Sequence, residues 1–270
     1  MINDRIDLHI ENHIAHVRFA RGEKMNALDT KMFEAVHELD KHLRADASIR
    51  VVVVSGDGGN FCAGLDKSNF ESMLVPAQGD EASVVSDLRT RTHGIANGPQ
   101  YAVWMWRQLP MPVIAAVEGV ALGGGLQVAL GADIRFAAPD SRFSIMELKW
   151  GIIPDMSSTQ IMRHLVRDDV IRELTYTARV FSAKEALEWG FITSIHEQPV
   201  AHALKVAKEI VLRNPQAIRS AKKVIDQSYY LDPSQGLMME SEEQEKVMAK
   251  PNQIEAVMSV LQAREPKYKD

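Results

Sequence analysis

The chain has 270 residues, 46% of them hydrophobic and 25% charged, with a formal net charge of −5. That balance is ordinary for a globular enzyme of one large or two smaller domains, and it excludes the general cationic footprint of a nucleic-acid-binding chain. The single cysteine, Cys62, excludes an intrachain disulfide and a cysteine-based zinc site, and it suits a reducing compartment such as the cytoplasm.

In chain order, residues 6–10 and 13–19 alternate apolar with polar side chains around a turn at Glu11 and Asn12. This pattern predicts a hairpin with one buried face. The segment 14–20 is broken by His16 and Arg18, and the longest apolar stretches fall short of the roughly 20 residues a membrane helix needs, so no signal peptide and no membrane contact are expected. Asp29 and Thr30 precede a helix through Leu43 with Met32, Phe33, Val36, Leu39 and Leu43 on one stripe. Residues 51–54 form a continuous apolar run, as a strand buried on both faces does. A glycine-rich segment covers 56–64. Residues 73–86 read as a mobile surface loop. A helix is expected over 92–109, a strand over 112–117, a glycine turn, a helix, and a strand over 134–137. Beyond Ser157 the pattern is mostly helical, apart from a short strand at 191–195. Alternating strands and helices followed by helices predict an α/β core over 1–198 and a helical C-terminal region over 199–270. The last helices, 233–249 and 253–263, have little partner surface nearby in the sequence.

Three segments carry candidate chemistry. The first is Ala121-Leu122-Gly123-Gly124-Gly125-Leu126-Gln127. A strand, a bare glycine turn and a helix start present unpaired N–H groups to an anion. The glycines equally suit close helix–strand packing. The second is Asn60-Phe61-Cys62-Ala63-Gly64-Leu65-Asp66, which also follows a strand. Two such junctions can place two N–H groups around one oxygen, the minimum for an oxyanion hole. Asp66 as a helix cap and Cys62 as a small core residue are the plainer readings of those side chains. The third is the stretch 143–156, where Glu147 and Asp155 lie among apolar and aromatic residues. Burial there raises carboxyl pKa values toward those useful for proton transfer. The alternatives are a Glu147–Lys149 surface pair and Asp155 as the cap of a helix starting near Met156. Met105, Met111, Met146, Met156, Trp104, Trp106 and Trp150 are candidates for an apolar pocket or for core. The histidines show no metal-ligand spacing, and His9, His13 and His16 read as surface residues of the hairpin.

Together, Lys24-Met25-Asn26-Ala27-Leu28, Phe61-Cys62-Ala63-Gly64-Leu65-Asp66, the segments 113–125 and 143–154, and Phe181-Ser182-Ala183-Lys184-Glu185-Ala186 through Trp189-Gly190-Phe191-Ile192 resemble the crotonase superfamily of enoyl-CoA hydratases and isomerases, in order, from about Ile6 to Ser228. The resemblance implies a crotonase (ClpP-like) α/β fold of repeated ββα units with a helical C-terminal trimerisation region. It also implies an acyl-CoA thioester substrate, no cofactor beyond the coenzyme A of that substrate, and a homotrimer or homohexamer. It assigns the oxyanion-hole amides to Leu65 and Gly124. It puts Lys24, Asn26, Ala27, Ala63, Gly64 and Asp66 along the CoA path, and offers the basic tail at 264–269 to the CoA of a neighbouring subunit.

Hydratases of the family use two glutamates, one two residues after the glycine triplet and one in the Phe-x-x-x-Glu segment. Here those positions are Gln127 and Glu147. A neutral amide can orient a water but is no general base. Isomerases of the family work with the second carboxylate alone. The resemblance is nearer to the Δ3,5-Δ2,4-dienoyl-CoA isomerase branch, which places an aspartate eight residues after the glutamate, as Asp155 stands here. The stretch Glu173-Leu174-Thr175-Tyr176-Thr177-Ala178-Arg179 also looks like that branch, although the branch has an acid where Gln127 stands. The expectation is therefore double-bond isomerisation with Glu147 and Asp155 sharing the acid and base roles. Enoyl-CoA hydration of fatty-acid β-oxidation and non-catalytic acyl-CoA binding are the alternatives.

Overall fold

The computed structural model describes residues 1–69 and 88–270. The surface loop expected at 73–86 lies outside them. A six-stranded sheet runs in the order β1 (Ile6–Glu11), β2 (Ile14–Phe19), β3 (Val51–Gly56), β4 (Val113–Val117), β6 (Ile134–Ala137) and β9 (Ser194–Ile195). The hairpin β1–β2 is antiparallel and every later pairing is parallel. A smaller sheet holds β5 (Val120–Leu122), β7 (Arg142–Ser144) and β8 (Phe181–Ser182).

The unbroken apolar runs of β3 and β4 follow from burial on both faces. Successive side chains of a strand point to opposite sides. Val52, Val54, Val113, Ala115 and Val117 enter the main core. Val51, Val53, Ile114 and Ala116 face the other way, against Ala203 and Ala207. Those alanines lie on a helix over Pro199–Val211.

Helix α1 (Thr30–Ala45) starts where Asp29 accepts a 2.8 Å hydrogen bond from Met32 N. Arg5 holds the same carboxylate at 2.7 Å. Its stripe of Met32, Val36, Leu39 and Leu43 is buried, with Phe33 packed on the edge. Helix α2 spans Gly98–Gln108, shorter than the expected 92–109. Asn97 and Gln100 form a reciprocal capping box and Pro99 sits in the first turn, so the chain before Asn97 turns instead. That start was readable from Asn97 and Pro99. The expected strand at 191–195 shrinks to β9, because Phe191 N and Ile192 N bond back to Ala186 O.

Helix α3 (Gly124–Gly131) begins inside the glycine triplet, two residues before Leu126. Then come α4 (Ser158–Met162), α5 (Asp168–Thr177), α6 (Ala183–Trp189), α7 (Pro199–Val211), α8 (Pro215–Ser228), α9 (Pro233–Val247) and α10 (Pro251–Leu261). Glu243 ties α9 to α8 through Ser220 Oγ at 2.9 Å and Lys223 Nζ at 2.6 Å. The C-terminal Asp270 meets Arg50 Nε at 2.8 Å, so the basic tail lies along its own chain. Among the described residues no helix is long and apolar enough to cross a membrane.

Candidate active site

The two glycine junctions meet. Cys62 N donates to Val120 O and Leu122 N donates to Cys62 O, both at 3.0 Å, which seats the loop after β3 on β5. Leu28 N donates to Gly64 O at 2.8 Å and Asp66 N to Leu28 O at 3.0 Å, which aligns the loop at 24–28 with the same segment. These bonds leave Leu65 N out of the ladder. Gly124 N stands at the first turn of α3, where no helical acceptor exists. Among the described residues neither amide donates to a backbone carbonyl.

The approach is close enough to demand glycine. Gly64 has φ +87, and a Cβ there would stand 2.5 Å from Leu122 O and 3.3 Å from Gly124 N. A Cβ on Gly125 would stand 2.1 Å from Cys62 O. Close packing and unpaired amides are therefore one feature, because the glycines let the backbone next to Leu65 come up against Gly124. Two such donors, with the positive end of α3 behind one of them, can stabilise an oxygen that gains negative charge.

Glu147 stands beside this turn, as does Met156, the residue after Asp155. A Cβ on Gly123 would be 3.4 Å from Glu147 Oε1, and one on Gly124 would be 3.1 Å from Met156 Sδ. Glu147 opens a 3₁₀ turn, Glu147–Trp150, and is only 6% exposed. It makes no pair with Lys149. Its Oε1 accepts a 2.6 Å hydrogen bond from Gln127 Nε2, while its Oε2 is buried and has no partner among the described residues. Desolvation raises the Glu147 pKa above the ordinary value, and the negative charge of Asp155 adds to the rise against the pull of Gln127 and nearby amides. Desolvation raises the Asp155 pKa as well. Asp155 caps no helix, since α4 starts at Ser158 behind Ser157. The site thus holds two carboxyls that both resist ionisation, with one buried oxygen free to take a proton.

Gln127 is 3% exposed. Its carbonyl oxygen accepts from Met156 N at 2.9 Å and Ser158 Oγ at 2.7 Å. Its carbonyl end is thus taken by protein partners, and its NH2 group spends one hydrogen on Glu147. Nothing local in the sequence points to Met156 N or Ser158, which lie about thirty residues downstream and reach Gln127 only through the fold.

The loop residues divide into exposed and structural. Lys24 is exposed. Asn26 is fully buried, receiving Arg21 N at 2.9 Å and donating to Asp57 O and Asn60 O at 3.0 and 2.7 Å. Its side chain braces the loop. Ala63 N donates to Met25 O, and Ala27 O accepts from Arg21. Asp66 binds Arg21 at 2.6 Å and accepts from Ser68 N and Oγ. Burial alone would raise its pKa, but the Ser68 and Arg21 hydrogen bonds prevail and hold it at about 2. Arg21 had no motif to announce it. Burial pushes the Cys62 thiol up to about 12, so it stays protonated as a core group.

Met146 and Met156 lie at the glycine turn, whereas Met105, Met111 and Trp106 belong to the core and Trp150 is exposed. His16 is half-buried against Ser55 Oγ at 2.8 Å rather than a free surface residue. No group of three metal-ligating side chains gathers among the described residues.

Comparison with known proteins places these features. The sequence profile of the enoyl-CoA hydratase/isomerase family matches residues 9–270. Mouse mitochondrial methylglutaconyl-CoA hydratase is 31% identical over 256 residues, covering 92% of this chain and 77% of that protein. Human mitochondrial Delta(3,5)-Delta(2,4)-dienoyl-CoA isomerase is 31% identical over 220 residues, covering 78% of this chain and 65% of that protein. The crystal structure of an enoyl-CoA hydratase from Bacillus anthracis superposes with a TM-score of 0.86 at 30% identity, covering 98% of this chain and 99% of that one.

Proposed function

The chain belongs to the enoyl-CoA hydratase/isomerase family and has its crotonase fold, and from that premise we propose that it moves a double bond along an enoyl- or dienoyl-CoA thioester. The thioester carbonyl sits between the N–H groups of Leu65 and Gly124. One of the two acids removes a proton from the acyl chain, and the electron pair left behind spreads onto the thioester oxygen as a dienolate or enolate. The two amides hold that charge. Collapse of the enolate takes a proton at the far end of the conjugated system, and the double bond has moved with no water added. Glu147 and Asp155 share the removal and the return, and burial raises both pKa values in the direction that suits proton transfer. Coenzyme A enters as part of the substrate, and the reading needs no separate cofactor. Its path runs along the paired segments at 24–27 and 63–66, with Lys24 available to a phosphate.

The observation that carries this reading is Glu147 Oε2, buried and, among the described residues, without a partner, on a side chain that stands against the glycine turn, with no second carboxylate at position 127. Hydration is the second reading. It is favoured by the match to a methylglutaconyl-CoA hydratase, which covers more of this chain than the match to the dienoyl-CoA isomerase does.

The test is an ultraviolet assay over a panel of enoyl- and dienoyl-CoAs in deuterated water. Isomerisation creates or shifts a conjugated absorbance and puts deuterium on the carbons that exchange. Hydration removes the absorbance, and loss of absorbance across the whole panel defeats the proposal. Glu147→Gln is expected to abolish turnover and leave thioester binding in place. The exposed apolar side chains of α9 and α10, among them Leu237, Met238, Val260 and Leu261, suit a trimer or hexamer interface, and sedimentation measures it.

A further inference from the structure

Gln127 occupies the position where a second acid would stand, and its amide faces two ways. Its carbonyl oxygen takes the backbone N–H of Met156 at 2.9 Å and the Ser158 hydroxyl at 2.7 Å, with Ser158 N at 3.4 Å. A backbone N–H can only donate, so these contacts fix which end of the amide points there. The NH2 end is therefore the one that meets Glu147 Oε1, at 2.6 Å. One side chain joins Glu147 to the residue directly after Asp155. All of these partners, Glu147, Met156 and Ser158, are buried.

We propose that Gln127 is the positioning residue of this site. It locks Glu147 by one oxygen, leaves Oε2 as the atom of Glu147 that exchanges a proton, and ties the turn bearing Asp155 to the same point, so that the two acids keep a fixed separation. A carboxylate at 127 cannot do this. One of its oxygens would take Met156 N and the other would face Glu147 with like charge, and the pair would have to share a proton. The amide thus keeps Glu147 ionisable and excludes a second base from the side where a water would be activated. This deepens the isomerase reading and rests on it.

The test follows the acid limb of kcat against pH, using whichever reaction the wild-type chain catalyses. Among the described residues Asp155 is the ionisable group that acts on Glu147, so Asp155→Asn is run alongside to separate its share. Gln127→Met keeps the shape and loses the donor to the ionised carboxylate. The limb is expected to move up by about one to two pH units, with KM within about threefold because the Leu65 and Gly124 amides are untouched. Gln127→Glu moves the limb at least as far. Ser158→Ala loosens the carbonyl side alone, keeps the core volume, and moves it less in the same direction. Should Gln127→Met fail to fold, the Ser158→Ala and Gln127→Glu limbs decide. A purely structural role would lower the unfolding midpoint and leave the limb in place. Limbs that superimpose on wild type in the folded variants overturn the positioning role. The outcomes separate cleanly: a fully active Glu147→Gln overturns the mechanism itself, while an inactive Glu147→Gln with unmoved Gln127 and Ser158 limbs overturns only this inference.

Discussion

Replacing Gly64 by alanine tests whether the close approach of the two glycine junctions makes the site. The new Cβ would stand 2.5 Å from Leu122 O, where ordinary contacts begin near 3.4 Å and 3.0 Å is the practical floor. The loop must therefore retreat by about 0.5–0.9 Å, and Leu122 O is backbone, which cannot swing aside as a flexible side chain can. The left-handed φ of +87 adds about 1–2 kcal/mol for a residue with a Cβ. With overpacking of about 1–3 kcal/mol, the fold should lose about 2–5 kcal/mol in urea unfolding. The retreat carries the amide of Leu65 away from that of Gly124. Losing one such donor costs about 2.7–4 kcal/mol of barrier, or about 10²–10³ in kcat. Gly59→Ala is the control, because Gly59 has φ +72 with nothing within 4 Å of its added Cβ. It carries the backbone strain without the collision, and its turnover should match wild type. The assay is kcat per folded molecule, with the folded fraction taken from circular dichroism at the same temperature. A folded Gly64→Ala chain turning over within about threefold of wild type would refute the assignment of a donor worth that much to Leu65.

Three further outcomes follow from the same geometry. Gly124→Ala meets Leu28 Cδ1 at 3.0 Å and Met156 Sδ at 3.1 Å; both are flexible tips, so urea unfolding should change by about 1 kcal/mol or less while kcat/KM falls at least about tenfold from crowding at the free amide. Glu147 has a raised folded pKa, so its contribution to stability is full below its unfolded value and is lost as pH rises through the folded one; Glu147→Gln should therefore gain stability over wild type as pH rises from 5 to 8, and a gap that narrows contradicts the buried-acid picture. Asp66 is held at about 2 from an ordinary 3.8, so the stability it contributes is present above 3.8 and disappears as pH falls toward 2; Asp66→Asn should flatten the acid-unfolding curve across that window, read by fluorescence.

Local pattern was most informative where local physics decides. The stripe of α1 and the Asp29 cap needed only helical spacing and one side-chain acceptor. The apolar runs of β3 and β4 announced two-sided burial, although not the helix that covers the second face. The expected start of α2 at 92 lay too early, because the Asn97–Gln100 capping box begins the helix only at Gly98. β9 was overlong because Phe191 and Ile192 close the preceding helix instead of joining the sheet.

By itself, the sequence determined the α/β order, the family, and the residue types that the chemistry needs: glycines with no Cβ at two strand–helix junctions, and two acids eight residues apart in an apolar segment. These are properties of single side chains and their spacing. Tertiary structure decided what those residues do to each other. Only the contact of Gly64 with Leu122 and Gly124 brings the two glycine junctions together. Only the Gln127 bridge decides that one oxygen of Glu147 is held and the other is left free. Hydrogen bonds between residues 20 to 30 positions apart depend on distance in space, and a pattern read along the chain carries no record of it.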